Sequence, residues 1–474
     1  MKSDTLQNAL GAIDPALVAR ADQMPKRARK RKLRMASLVA AMLALAIGLG
    51  AIFGGGSVVP SRYTLAAAIY PTMAPYPKGE WLPGFESRYD AWRDSIKERR
   101  AYFGSGKDLG DFFSQTASAF LADSGDDNLV YSPLNVYMAL SMLAEVTDTD
   151  TRKEILTLLG CDSIEMLRTK ANAIWNANYS NDGAVTSILA SSLWLSDSLS
   201  YNTDTVKTLA ETYYASSFSG KMGSAGYDKA FRNWLNEQTG GLLKEYIDEL
   251  SFTPETLMAM ATTVYFQAKW ENEFRKSENQ DKIFHAPSGD VTCEFMHETE
   301  VYGVYYWGDL FSATRKRLED SGYMWLILPD EGVTFTELLQ SEEALLFLSS
   351  NGEWENKKTL KVNLAVPKFE VSSKLDLAKG LKALGITSCF DSRRADFSPL
   401  FEEDTEVYLS KIEHGATVAI DEEGVIAAAY VAMMMAGGAE PPEDEIDFVL
   451  DRPFLFVITG SDGLPLFIGT VNLP

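Results

Sequence analysis

At 474 residues, with 46% hydrophobic and 11% aromatic content, the chain can bury a sizeable core and is not a disordered protein. Its net charge of −22 argues against nucleic-acid binding. Three widely spaced cysteines, Cys161, Cys293 and Cys389, imply no disulfide framework, so stability must come from packing.

The charge is unevenly spread. Residues 1–53 carry nine basic and three acidic side chains, a net of +6 against −28 for the remainder. Seven of the nine residues in 26–34, KRARKRKLR, are basic. Met35 to Phe53 follows without a charge, and its nineteen residues would span about 28 Å as a helix. That nearly matches a hydrocarbon core of about 30 Å. The basic cluster holds its own side in the cytoplasm. The expected arrangement is a basic cytoplasmic tail (1–34), a transmembrane signal anchor (35–53) and everything later outside the cell. Small residues at Ala66–Ala68 leave cleavage and secretion as the alternative.

Residues 54–106 open with GGGS and hold scattered prolines, from Pro60 to Pro83, with a polar helical piece near Asp90–Arg100. This composition suits an extracellular tether with some local order. FGSGK at 103–107 is not a phosphate loop, because Ala101 stands where the first glycine belongs and Asp108 replaces the hydroxyl residue.

A globular part is expected over 107–474. Leu109, Phe112, Phe113, Phe120 and Leu121 recur at helical spacing. A short strand at Leu129–Tyr131 leads to a helix with Ser132 as N-cap and Pro133 at its first position. Helical patterns continue to about Ala177, Ser191–Leu195 alternates as a strand, and Phe231–Leu243 reads as a helix. Beyond Met258 strands dominate: 260–270, 323–332, 360–371, 416–421 and two runs at the end. Helices first and strands later favour an α+β domain over a doubly wound sheet.

One stretch resists that pattern. Asp421 to Ala439 reads DEEGVIAAAYVAMMMAGGA, and its last fifteen residues carry no charge. Such composition belongs in a core, yet it ends in Gly-Gly-Ala-Glu-Pro-Pro, which reads as exposed irregular chain. Enzyme chemistry is poorly supplied: there are three histidines, no G-x-S-x-G and no H-E-x-x-H, and Cys293 and His297 lack partners at metal spacing.

The order of the motifs is more specific than any one of them. NLVYSPLNVYMALSML, FRNWLNEQTGGLL, TTVYFQAKWENEF, LPDEG, VPKFEV, LGIT, HGATVAIDEEGVIAAA, DRPFLFVITG and PLFIGTVNLP together resemble the serpin family over about 107–474. The resemblance implies a large central β-sheet with smaller sheets, about nine helices and an exposed reactive loop. It implies no catalysis and no cofactor. It further implies a suicide inhibitor: a protease attacks the loop, forms an acyl-enzyme, and is trapped as the loop inserts into the central sheet. The alternative within the family is a non-inhibitory protein that binds partners at the cell surface.

By that resemblance Glu422, Gly424 and Val425 form the hinge. On an inserted strand Val425, Ala427, Ala429, Val431 and Met433 would face the core, with Ala428 on the other face. No proline interrupts 425–440. Val425 departs from the small hydroxyl residue usual after the hinge glycine. The resemblance also assigns sheet-opening sites: Trp270 and Lys368 with Glu422 at the top, and Ser132, His414 and Thr262 at the centre. Thr262 stands where an asparagine is usual. The bond attacked would be Gly438–Ala439, with Met435, Ala436 and Ala439 as other candidates for the residue before the cut. All are uncharged, which points to elastase- or subtilisin-like serine proteases, with a papain-like cysteine protease as a further candidate partner.

Overall fold

The computed structural model describes residues 62–77, 84–241, 244–402, 406–409, 412–425 and 442–474. The expected cytoplasmic tail and anchor lie outside them. Among the described residues no helix is long and apolar enough to cross a membrane.

Two sheets organise the described chain. The first holds β1 (Thr64–Ala66), β3 (Ser180–Asn181), β4 (Thr186–Ser196), β5 (Ala215–Gly220), β6 (Met258–Lys269), β12 (Phe369–Asp376), β13 (Glu413–Ile420) and β14 (Gly424–Val425). Its spatial order is β1-β5-β4-β6-β14-β13-β12, with β3 against β4. Only β4 and β5 run parallel within it.

The second sheet holds β2 (Leu129–Tyr131), β7 (Gln280–Ala286), β8 (Gly289–Trp307), β9 (Phe311–Arg317), β10 (Tyr323–Pro329), β11 (Lys357–Pro367), β15 (Glu445–Val449), β16 (Phe454–Thr459) and β17 (Pro465–Val471). Smaller sheets were expected here. These strands instead join into one nine-stranded network, because the 19-residue β8 is long enough to pair with β7, β9 and β11 in turn.

Eleven α-helices occur among the described residues: α1 (Phe85–Arg100), α2 (Gly110–Leu121), α3 (Pro133–Glu145), α4 (Thr149–Leu158), α5 (Ile164–Asn178), α6 (Thr203–Thr212), α7 (Ala225–Gln238), α8 (Lys244–Ile247), α9 (Phe335–Leu338), α10 (Glu342–Ser349) and α11 (Ala378–Ala383). Of these, α1 lies ahead of the expected domain, and α8 and α9 are single turns. α3 is the core helix. Every residue of it except Ala139 is buried, and it packs against β6, β17 and its neighbours α4 and α5. An all-round apolar helix is stable only in such a place. Ser132 caps it by accepting from the Asn135 N–H at 3.1 Å, with Pro133 at the first position.

Two regions depart from the sequence expectations. The run 360–371, expected as one strand, splits at Lys368: β11 belongs to the second sheet and β12 to the first. The Lys368 N–H still donates to the Glu294 carbonyl of β8 at 3.0 Å, and from Phe369 the chain pairs with β13 instead. Part of the stretch expected as a tether is also built into the fold. Thr64–Ala66 pairs with β5, and α1 buries Trp92, Ile96 and Arg99. Those three sit at i, i+4 and i+7, a narrow stripe on an otherwise polar helix.

Candidate functional site

The chain leaves β13 at Ile420, turns at Asp421–Gly424 and comes back as β14. The Asp421 side chain closes the turn, accepting from the Glu423 N–H at 2.9 Å and the Gly424 N–H at 3.1 Å. Ile420 then pairs with Val425 on one side, and on the other Gly424 pairs with Lys269 and Val425 with Ala268. β14 is thus wedged between β6 and β13. Those two strands make no pairing with each other among the described residues.

The glycine is required there for a different reason than a hinge's backbone freedom. The conformation of Gly424 is ordinary, but a Cβ would meet the Ala268 carbonyl oxygen at 2.4 Å and the Lys269 Cα at 2.8 Å. Any side chain would push β14 off β6. Val425 is 2% exposed, so its isopropyl group faces the core as the alternation required. Burying it contributes about 1.5 kcal/mol or more. Ala427, Ala428, Ala429, Val431, Met433, Gly438 and Ala439 lie outside the described residues.

The turn is held from below. Trp270, 3% exposed, donates its indole N–H to the Asp421 carbonyl at 2.8 Å. Its backbone N–H reaches the Glu423 carbonyl at 3.1 Å, and that of Phe274 the Glu422 carbonyl at 2.9 Å. The Lys316 ammonium lies 5.5 Å from the Trp270 ring centroid and pairs with Glu298.

Glu422 and Lys368 meet at 2.6 Å, with side chains 10% and 16% exposed. This is a largely enclosed pair rather than a surface one. Glu294 lies 3.1 Å from the same ammonium, and Asn279 donates to Glu422 at 2.5 Å. Burial pushes the Glu422 carboxyl up, but the Lys368 ammonium and the Asn279 amide outweigh it and hold it below the usual range. Asp421 moves the other way, because burial dominates. Sequence reasoning missed Asn279 and Asp421. The Asp-x-x-Gly spacing was a legible turn signal for Asp421, whereas Asn279 arrives from 143 residues away with no motif around it.

At the centre of the sheet, the Ser132 backbone N–H donates to His414 Nε2 at 3.0 Å. His414 is 5% exposed on β13, so the end of β2 is tied to the inner strand of the slot. Thr262 enters differently from expectation. Its carbonyl accepts from the Asn135 amide at 3.1 Å, and Asn135, which no motif singled out, links α3 to β6. α3 therefore begins at a polar knot that reaches both walls of the slot.

The Serpin (serine protease inhibitor) family model matches residues 108–474. The chain belongs to the serpin family. Serpin-ZX of Arabidopsis thaliana is 29% identical over 369 residues, covering 74% of this chain and 93% of that protein. The leukocyte elastase inhibitor of Sus scrofa is 27% identical over 361 residues, covering 73% and 93%. The native state of the thermophilic serpin Tengpin superposes with a TM-score of 0.67 at 26% identity, over 77% of this chain and 93% of that one. Serpins are generally protease inhibitors rather than enzymes.

In this serpin His414 accepts at Nε2, and burial lowers its pKa from 6.5 to about 4. The folded state therefore binds its proton less well than the unfolded chain. That contribution to stability is complete above pH 6.5 and is lost as pH falls toward 4, a change of about 3 kcal/mol. His414→Gln, whose amide oxygen still accepts from Ser132, should lose less thermal stability than the parent between pH 7.5 and 4.5. Equal losses in parallel melts would show that the ring does not titrate this way. Separately, Gly424→Val should expel β14. Amide exchange at Trp270 and Phe274, which donate to Glu423 and Glu422, should then rise by about tenfold or more.

Proposed function

We propose that this serpin is a suicide inhibitor of serine proteases, with the bait within 426–441 and insertion proceeding from β14. The observation that carries the reading is the seat of Gly424 and Val425 between β6 and β13. The first residues of an additional strand already occupy the gap. A cleaved loop need only extend that strand along two edges that do not pair with each other. Extension continues the alternation begun by the buried Val425, which sends Ala427, Ala429, Val431 and Met433 to the core face. All of them are small or apolar. The valine at 425 suits such a role, since it is β-favouring and already buried.

The ion pair fits a latch at the mouth of the gap. Lys368 stands where the chain passes from the second sheet to the first, and Glu422 stands on the hinge turn. Removing one member of an enclosed pair costs roughly 3–5 kcal/mol. Lys368→Ala should fall at the lower end, because Asn279 still donates to Glu422.

The uncharged bait disfavours trypsin-like proteases, which need Arg or Lys. Elastase- and subtilisin-like enzymes are the proposed targets, with a papain-like protease behind them. We also propose that residues 35–53 anchor the protein in the cell membrane as a single pass, with the serpin domain outside. The support is their nineteen uncharged residues following seven basic ones in nine.

The protein incubated with pancreatic elastase or subtilisin should give a complex that survives denaturing gels. Sequencing the released C-terminal peptide should put the cut between Met435 and Glu440. Clean cleavage with neither a complex nor a gain in thermal stability would sink insertion and leave a surface binding protein. For the anchor, the expressed full chain should stay with membranes through a high-salt or carbonate wash, and release into the soluble fraction would refute it.

A further inference from the structure

Residues 62–100 precede the stretch that matches the family model, 108–474. Residues 63–68 nevertheless line β5 at the outer edge of the first sheet, and Tyr76 reaches the β3–β4 turn. The Ser219 N–H donates to the Tyr63 carbonyl at 2.8 Å, Thr64 and Ala66 pair with Phe218 and Ser217, and the Ala68 N–H reaches Ser216 Oγ at 3.1 Å. Ala68 itself is fully buried. Farther on, the Tyr76 N–H donates to the Asp182 carbonyl at 2.6 Å, in the turn between β3 and β4.

α1 brings two side chains to that same turn. The Trp92 indole donates to Asp182 Oδ2 at 3.0 Å. Arg99, 8% exposed, lies in the field of Asp182, Asp320 and Asp462 and donates to Ser461 Oγ at 3.5 Å. These acids come from three different turns. Asp182 belongs to the first sheet, Asp320 to the β9–β10 turn and Asp462 to the β16–β17 turn of the second. The β9–β10 turn also touches the end of β6: the Glu319 N–H donates to the Lys269 carbonyl at 2.8 Å, and Leu318 bridges Trp270. A guanidinium this deeply buried, held by the Ser461 hydroxyl and with its Nε lacking a hydrogen-bond partner among the described residues, is costly to leave uncompensated. Burial lowers its pKa, and Asp182 is the first of the groups that oppose this.

Admitting a full strand between β6 and β13 requires β6, β4 and β5 to move together by about one strand spacing, 4.7–4.9 Å. Asp182 travels with that half. Ser461 belongs to the β16–β17 turn and stays with the second sheet. α1, bonded to Asp182 through Trp92 and to Ser461 through Arg99, cannot keep both contacts across such a shift.

We propose that residues 62–77 and 84–100 act as a strap. It ties the β4–β5 half of the first sheet to the turns of the second through Arg99 and Trp92, and so sets how readily the slot between β6 and β13 opens. The idea rests on the reading of that slot as the site of strand insertion.

The test uses the full chain without protease. Parent, Arg99→Met and Trp92→Phe are held at an elevated sub-denaturing temperature. Conversion to a form with a raised thermal midpoint is followed with time, together with hydrogen exchange over 85–100, β6 and β13. Conversion should be about tenfold faster for Arg99→Met and about threefold faster for Trp92→Phe, with exchange over 85–100 raised in both. Trp92→Phe keeps an aromatic ring while losing the indole N–H and part of the buried ring, so it decides the matter if Arg99→Met does not fold. Raised exchange over 85–100 with conversion within twofold of the parent overturns the strap, as does an α1 that stays protected in both variants. If no form ever gains stability or traps elastase, it is the inhibitor reading that fails. The strap is then judged on β6 and β13 exchange alone: faster exchange in the variants supports it, and unchanged exchange overturns it.

Discussion

β6 and β13 are neighbours in one sheet, yet only Gly424 and Val425 connect them. Along the rest of their facing edges the two strands exchange no backbone hydrogen bonds with each other among the described residues. A sheet interrupted in its middle forgoes ladder bonds that an ordinary sheet would make, and the fold has to hold that gap in place by other means. The surrounding contacts meet that need. The Asp421 turn and Trp270 fix the top of the gap. Glu422, Lys368 and Asn279 fasten its rim. Ser132, Asn135 and His414 bind its walls to the buried helix beneath.

These fasteners differ in kind, and the difference matters. The rim pair is ionic and part-screened, with a third carboxylate, Glu294, sharing the ammonium. It can exchange one partner for another without leaving a charge bare. The central knot is neutral and dry. His414 offers a single acceptor to a single backbone donor, and neither has an alternative partner inside the core. The rim therefore suits a contact that must rearrange, while the knot suits one that fixes register and yields only when the strands part.

Much of this could be read from the chain. The hinge was legible as a run too apolar for its punctuation, and strand alternation named Val425 as inward-facing before its burial was known. Glu422, Lys368, Trp270, Ser132 and His414 were assigned through the order of the motifs around them; the fold brings Glu422 to Lys368 and Ser132 to His414. What escaped has physical causes. Asn279 and Asn135 act through side-chain amide contacts across 143 and 127 residues, and no local pattern encodes such pairings. Thr262 contributes a carbonyl, which every residue carries, so its side chain gave no clue. The close approach of Gly424 to β6 shows only once β6 is known to lie there. The break at Lys368 was hidden because both of its flanking strands share one apolar rhythm.

The N-terminal edge is the instructive failure. Three residues of β1 have no periodicity to detect, and prolines on either side argue for extended chain, which is also what an edge strand is. α1 looks like a solvated helix by composition, yet its stripe of Trp92, Ile96 and Arg99 ends in a guanidinium rather than an apolar side chain. A charge at the end of a buried stripe has value only where opposite charges wait for it, and here they wait on turns of both sheets. A helix serving only as a linker would have no reason to place its arginine there. One that joins two sheets would, because its Trp92 indole reaches Asp182 of the first while the Arg99 guanidinium reaches Ser461 of the second.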